Sequence, residues 1–291
     1  MGNILTKQFY RQRKDFEDSC AGRDAGLTFP EGVRCSTDIA YADDGIKAHL
    51  LDIYRPEDSQ EKILPVIINV HGGGLIIGNK EFNRYFCALL CKKGFLVYSI
   101  EYRLIPDCLI YDQIADVFMA MDYIKERLAA DGGDSSHVYM AGDSGGACLI
   151  TYANAIQNST NIARAANVTP SGLRINALGL ISGMFYTSRF DKIGLFLPKY
   201  LYGRDYKKTP FAKYVNPENR ELLNSLAPVW LVTSHNDFLR RYTTDFEKAL
   251  TRAEREHELV VFPKNKKLTH AFSVFEPFLP ESSAVIDMMV E

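Results

Sequence analysis

The 291-residue chain carries 34 Lys and Arg against 36 Asp and Glu, a formal net charge of −2. A charge so near zero supplies no broad basic field for nucleic acid or an anionic membrane, and small neutral substrates fit better. With 46% hydrophobic and 24% charged residues the composition is that of an ordinary soluble globular protein, long enough for one large core, so a single domain over 1–291 is expected.

At the amino terminus, Met1-Gly2-Asn3-Ile4-Leu5-Thr6 fits the loose M-G-x-x-x-[ST] myristoylation pattern, with Lys7, Arg11, Arg13 and Lys14 behind it as a polybasic partner. The pattern constrains few positions, and a polar amphipathic leader packing on the body is the better reading. The terminus lacks an apolar signal core and no stretch approaches the ~20 apolar residues of a membrane helix. A cytoplasmic protein without stable membrane association is expected, and a homodimer is compatible with the sequence. The cysteines (Cys20, Cys35, Cys87, Cys91, Cys108, Cys148) form no CxxC and no His-Cys zinc spacing, so they read as small core residues.

Two alternating segments, 35–41 and 47–54, flank Asp43-Asp44-Gly45 and predict an antiparallel hairpin. The β-branched run Leu64-Pro65-Val66-Ile67-Ile68-Asn69-Val70 predicts a strand buried on both faces. Helices over 81–93, 112–130 and 145–157 then alternate with strands over 95–101, 137–142 and 175–181. A strand at 228–234, a helix at 242–256, a strand at 258–262 and a final helix complete the pattern. Such alternation implies an α/β fold, a mostly parallel doubly wound sheet covered on both faces. The stretch from Thr187 to Leu226 breaks the rhythm: it holds seven Phe and Tyr residues interleaved with charges and predicts a helical cap insertion, helped by about 1–34.

Gly142-Asp143-Ser144-Gly145-Gly146 satisfies G-x-S-x-G between a predicted strand and a predicted helix, the context of a nucleophile elbow. The same letters surround the nucleophile of chymotrypsin-like proteases, but those run His, Asp, Ser along an all-β chain, and here acid and base candidates lie downstream. His71-Gly72-Gly73-Gly74 after a buried strand can turn backbone amides toward an oxyanion, with His71 bracing the loop. Asp237 follows the strand at 228–234, whereas Asp245 falls in the next helix and Asp191 and Asp205 in the insertion. His270 follows the last strand, and His235, His49, His137 and His257 read as loop, surface or structural histidines. The order Ser144, Asp237, His270 is that of an α/β-hydrolase nucleophile, acid and base.

These motifs, with Gly78, Tyr102-Arg103-Leu104, Pro106, Asp116, Leu239 and Phe272, make the chain resemble the hormone-sensitive-lipase-like group of α/β-hydrolase esterases from about 64 to 275. The resemblance implies an oxyanion hole from the amides of Gly73, Gly74 and Gly145. The sequence departs from the group at Gly145 (usually Ala), Ala271 (usually Gly) and Arg240-Arg241 (often Asp-Glu). The expected function is a serine carboxylesterase for short-chain esters, needing neither metal nor organic cofactor. Carbohydrate acetyl or feruloyl esterases and amidases share such a triad and are the alternatives within enzymes. A ligand-binding member of the fold, such as the gibberellin receptors, departs at the His, so retention of His270 favours catalysis.

Overall fold

The computed structural model describes residues 4–59 and 62–291; Met1, Gly2 and Asn3 of the acylation pattern lie outside them. A long amino-terminal helix α1 (Ile4–Asp24) precedes strands β1 (Val33–Ala40), β2 (Leu50–Pro56) and β3 (Leu64–Val70). There follow α2 (Arg84–Lys92), β4 (Leu96–Ile100), α3 (Ile110–Arg127), β5 (Gly133–Asp143), α4 (Gly145–Asn158), α5 (Thr160–Ala166) and β6 (Leu178–Ile181). The insertion carries the short helices α6 (Lys192–Phe196), α7 (Pro198–Leu201) and α8 (Arg220–Asn224). The chain closes with β7 (Val229–Ser234), α9 (Arg240–Arg252), β8 (His257–Phe262), α10 (Phe272–Phe275) and α11 (Pro280–Val290).

All eight strands join one sheet in the order β1-β2-β4-β3-β5-β6-β7-β8. The pairs β1–β2 and β2–β4 are antiparallel and the remainder parallel. Parallel strands need crossovers that cover both faces, which is why β3 and β4 are buried on both sides. The chain leaves β3 for β4 on one side, then crosses to β5 on the other. The order therefore reverses at β3, and the loops leaving the carboxyl ends of β3 and β5 diverge to open a crevice, the ordinary ligand position in an open α/β sheet.

Two local expectations change. The Asp43-Asp44-Gly45 turn belongs to a longer connection: Ala40 pairs Leu50, and residues 41–49 lie outside both strands. His49, expected in a strand, sits in that connection, buried with Nδ1 2.7 Å from Asp44 and Nε2 3.1 Å from Asp116. A charge-bearing pocket at the strand's start displaces the tight hairpin that the turn residues suggested.

Most aromatic side chains of the insertion face the core and do not roof the crevice. Tyr202, Phe211 and Tyr214 are buried beside Tyr152 of α4, and the Tyr202 hydroxyl lies 3.1 Å from that of Tyr152 and 2.7 Å from Thr187 Oγ1. Their burial anchors the insertion as a fixed pillar on the α3–α4 side. The leader is the 21-residue α1, of which Phe9 and Cys20 are buried. Among the described residues no helix is long and apolar enough to cross a membrane.

Candidate functional site

Ser144 stands between β5 and α4 with φ 49° and ψ −112°, a backbone state that L-residues enter at a cost of about 1–3 kcal/mol. The turn is held on both sides, since Ser144 N donates to Ile181 O (2.8 Å) and Met184 N donates to Ser144 O (2.9 Å). It is also packed too closely for a larger neighbour. A Cβ at Gly146 would lie 2.1 Å from Val70 O and 2.5 Å from His71 O, which brings the start of α4 directly against the end of β3. The strain holds the Ser144 side chain out at the carboxyl end of the sheet.

Asp237 follows β7 and is nearly inaccessible. Its Oδ2 accepts from Thr233 Oγ1 (2.8 Å) and its Oδ1 from Leu239 N (2.8 Å), and His270 Nδ1 lies 2.8 Å from Oδ1. Burial pushes this carboxyl up, but the His270 contact and charge together with the other donors hold it below its ordinary value, so it is a carboxylate. His270 Nε2 lies 2.9 Å from Ser144 Oγ. The structure thus places Ser144, His270 and Asp237 in one hydrogen-bonded line, with Asp237 facing the ring nitrogen opposite the serine.

The loop after β3 is braced from several sides. His71 is buried, stacked at 4.3 Å on Tyr102, with Nε2 3.0 Å from Glu101 Oε1 and Nδ1 2.9 Å from Gly72 O. Burial pulls its pKa down, but the charge and contact of Glu101, Gly72 O and Asp143 outweigh this and raise it. Gly72 N donates to Asp143 Oδ1 (3.0 Å), which Asn83 Nδ2 also reaches (2.9 Å), so Asp143 works as a strut. Arg103 grips the buried Asp116, and Gln113 Nε2 donates to Leu75 O (3.0 Å) and Arg103 O (2.8 Å). Gln113 is a positioning residue that sequence reasoning missed, because mid-helix Gln gives no signal of its own.

A cavity of about 410 Å³ opens at Ser144 and His270, and Gly73 and Gly74 line it. Its walls are mainly apolar: Phe9 and Phe16 from α1, Phe82, Ile193 of α6, Phe238 and Phe275. Besides α1, residues 192–197 of the 187–226 stretch contribute to the lining. Phe238 lies over His270 with ring centroids 4.4 Å apart and was not anticipated. A larger cavity of about 510 Å³ lies elsewhere, against the sheet beside Trp230 and Met289, and contains none of these groups.

The competing residues have other partners. Asp245 of α9 pairs with Arg189 (2.9 Å), Asp191 caps α6 through the amides of Ile193 and Gly194, and Asp205 pairs with Lys208. His235 Nδ1 lies 2.8 Å from Arg240 Nη1, away from the Ser144 line. His137, at the start of the predicted strand over 137–142, lies inside β5, which begins at Gly133, and His257, between the predicted helix over 242–256 and strand over 258–262, begins β8. All six cysteines are free thiols, and among the described residues no three His, Cys, Asp or Glu side chains gather to hold a metal.

The model of the alpha/beta hydrolase fold matches residues 67–273, from within β3 into α10, a span that includes Ser144, Asp237 and His270. The chain belongs to the alpha/beta hydrolase fold family. Within it, the chain is 29% identical over 184 residues to a probable isoprenylcysteine alpha-carbonyl methylesterase of Oryza sativa subsp. japonica, covering 60% of this chain and 44% of that protein. Esterase LipQ of Mycobacterium tuberculosis is 33% identical over 120 residues, 40% of this chain and 28% of its own. The chain therefore spans less than half the length of these curated relatives. Esterase B from Lactobacillus rhamnosis superimposes with a TM-score of 0.90 at 23% identity, covering 98% of this chain and 92% of the other, a likeness of fold.

One departure from the family pattern has a clear local effect. With Arg240 and Arg241 following the acid loop in place of Asp-Glu, Arg240 turns to His235 and Arg241 lies 3.6 Å from Asp245, so the outer edge of the loop is cationic. Ala271, where the family usually has Gly, adopts φ 47° directly after His270, and its amide donates to Ser182 Oγ (3.1 Å).

Proposed function

We propose that the chain is a serine carboxylesterase of short-chain esters, with Ser144 as nucleophile, His270 as general base and Asp237 as its orienting acid. The observation that carries this reading is the line Ser144 Oγ to His270 Nε2 (2.9 Å) and His270 Nδ1 to Asp237 Oδ1 (2.8 Å), ending in an apolar cavity. The names of the plant and bacterial relatives as esterases support the reaction class.

His270 accepts the Ser144 proton as Oγ attacks the ester carbonyl, and the tetrahedral oxyanion faces the amides assigned to the hole, Gly73, Gly74 and Gly145. Collapse expels the alcohol, which takes the proton from His270, leaving an acyl-Ser144. Water then repeats the cycle and releases the acid. Asp237 holds the imidazole in the tautomer whose Nε2 can accept, and stabilises the imidazolium.

The test is Ser144→Ala against p-nitrophenyl butyrate, with labelling of the wild type by an alkyl phosphonate read by peptide mass. Loss of at least about a thousandfold in kcat with an unchanged melting curve, and phosphonate mass on the Ser144 peptide, is expected. Activity within about tenfold of wild type would sink the assignment.

A further inference from the structure

The cavity mouth carries a second feature that ester hydrolysis does not use. Sequence order interleaves aromatic and charged residues in the insertion, but folding sorts them: Tyr202, Phe211 and Tyr214 go inward, while Phe190 (91% exposed), Leu195 (54%) and Phe196 (58%) stay out. Phe238, 74% exposed, joins them from the loop before α9. Phe196 and Phe238 both border the cavity. Phe190 is held toward the same side, because Arg189 pairs with Asp245 of α9 and Asp191 accepts from Tyr242 Oη of α9, pinning the chain on either side of it. Phe9 of α1 meets Tyr200 of α7 edge-on at 5.2 Å, which brings the amino-terminal half of α1 to this mouth.

Cations are concentrated around the mouth, two of them paired: Arg11 with Asp15 and Arg13 with Asp107. The first half of α1 carries Lys7, Arg11, Arg13 and Lys14 and no acid before Asp15; of these Lys7, Arg11 and Lys14 are exposed. Lys192 on the cavity border and Lys199 beside Tyr200 are exposed as well. Asp191 and Asp245 are occupied in capping and pairing, and among the described residues no ion pair involves Lys7, Lys14, Lys192 or Lys199. Large apolar side chains held out in water beside these exposed lysines match a surface whose interior is apolar and whose outer layer is anionic.

We propose that this face docks on a bilayer containing anionic phospholipid, bringing the cavity mouth to the headgroup layer. The near-zero net charge argued against such a partner because it averages a basic mouth with an acidic remainder. The docking does not rest on the role of Ser144. The Met1–Thr6 acylation pattern stands in sequence directly ahead of this face, so the surface is tested on full-length chain made in bacteria, without acylation.

The measurement is co-sedimentation with extruded vesicles of phosphatidylcholine alone and of phosphatidylcholine with about 30 mol % phosphatidylserine. Wild type should sediment with the mixed vesicles, at least about tenfold more than with neutral ones, and release as salt rises. Phe190→Ser with Leu195→Ser should weaken binding about tenfold or more while p-nitrophenyl butyrate hydrolysis stays unchanged, since neither side chain borders the cavity. Lys7→Gln with Lys14→Gln should cost about fivefold per charge on mixed vesicles only. Absence of sedimentation, or binding indifferent to both double variants, overturns the proposal. Concentration-dependent self-association in sizing chromatography that Phe190→Ser abolishes, without vesicle binding, overturns it too and assigns the face to a second copy.

Discussion

Gly145 and Gly74 are so close that a Cβ on Gly145 would lie 3.0 Å from Gly74 N and 2.8 Å from Leu75 N. The residue after the nucleophile and the glycine loop therefore define each other's position. An L-side chain at 145 is accommodated only if the 73–75 backbone retreats.

Gly145→Ala, which restores the residue usual in the resembling family, is consequently expected to lower the proposed esterase activity. Displacing donors that must meet a developing oxyanion costs up to about 3 kcal/mol, and a shift of a few tenths of an ångström should give a loss of about tenfold or more in kcat. Steady-state kinetics on p-nitrophenyl butyrate, with phosphonate labelling as a second readout, would show it. An unchanged or improved kcat would mean that the loop yields freely and that its amides do not set the rate.

Asp237→Asn should lower kcat by about four orders of magnitude, because the amide can present its N–H to His270 Nδ1 and select the tautomer that cannot accept from Ser144. Asp245→Asn should leave kcat within about threefold, since Asp245 serves Arg189 and Arg241. The reverse pattern would remove Asp237 from the proposed mechanism.

Much of this site was readable because its chemistry is local in sequence. The elbow glycines, the glycine loop and the His after the last strand each occupy a few consecutive residues beside a strongly β-branched run, and β3, β4 and β7 formed within two residues of the predicted bounds. Phe16 and Phe238 were not readable. Phe16 lies on a helix with few buried residues, so periodicity gave no inward face, and it reaches the cavity only because α1 crosses the carboxyl end of the sheet. The inward turn of the insertion aromatics Tyr202, Phe211 and Tyr214 was not readable for a related reason: spacing along the chain does not say which side of a set of short helices meets the core.

The His71–Glu101 pair sets a pH signature of stability. His71 has a folded pKa above its unfolded value of 6.5, so its contribution is fully present below about pH 6.5 and is lost as pH rises through the higher folded value. Comparison of wild type with Glu101→Gln by thermal melts from about pH 6 to about pH 9 should show the largest destabilisation, up to about 3 kcal/mol, at the acid end, shrinking as His71 becomes neutral. A gap that widened with pH would mean that His71 is neutral throughout and holds the loop by hydrogen bonding alone.

The acyl-chain preference follows from the aromatic wall of the cavity. Phe16 packs on Phe82 at 4.9 Å and Phe82 on Phe275 at 4.6 Å, and all three rings line the space beside Ser144. Each methylene that slides along such a wall gains about 0.8 kcal/mol until the wall is met end-on, after which further length must displace packed rings at a cost of about 1–3 kcal/mol. In a series of p-nitrophenyl esters from acetate to palmitate, kcat/KM should therefore peak among the short chains and fall toward palmitate. Phe16 offers the lever, because it comes from α1, whose removal from the wall leaves the sheet and the Ser144 line untouched. Phe16→Ala should move the peak to longer chains, with kcat on acetate nearly unchanged, while Phe16→Trp should shorten it. If palmitate were the best substrate of the wild type, or if Phe16→Ala left the peak in place, the chain would bind its acyl group outside this cavity and the short-chain reading would fall with it.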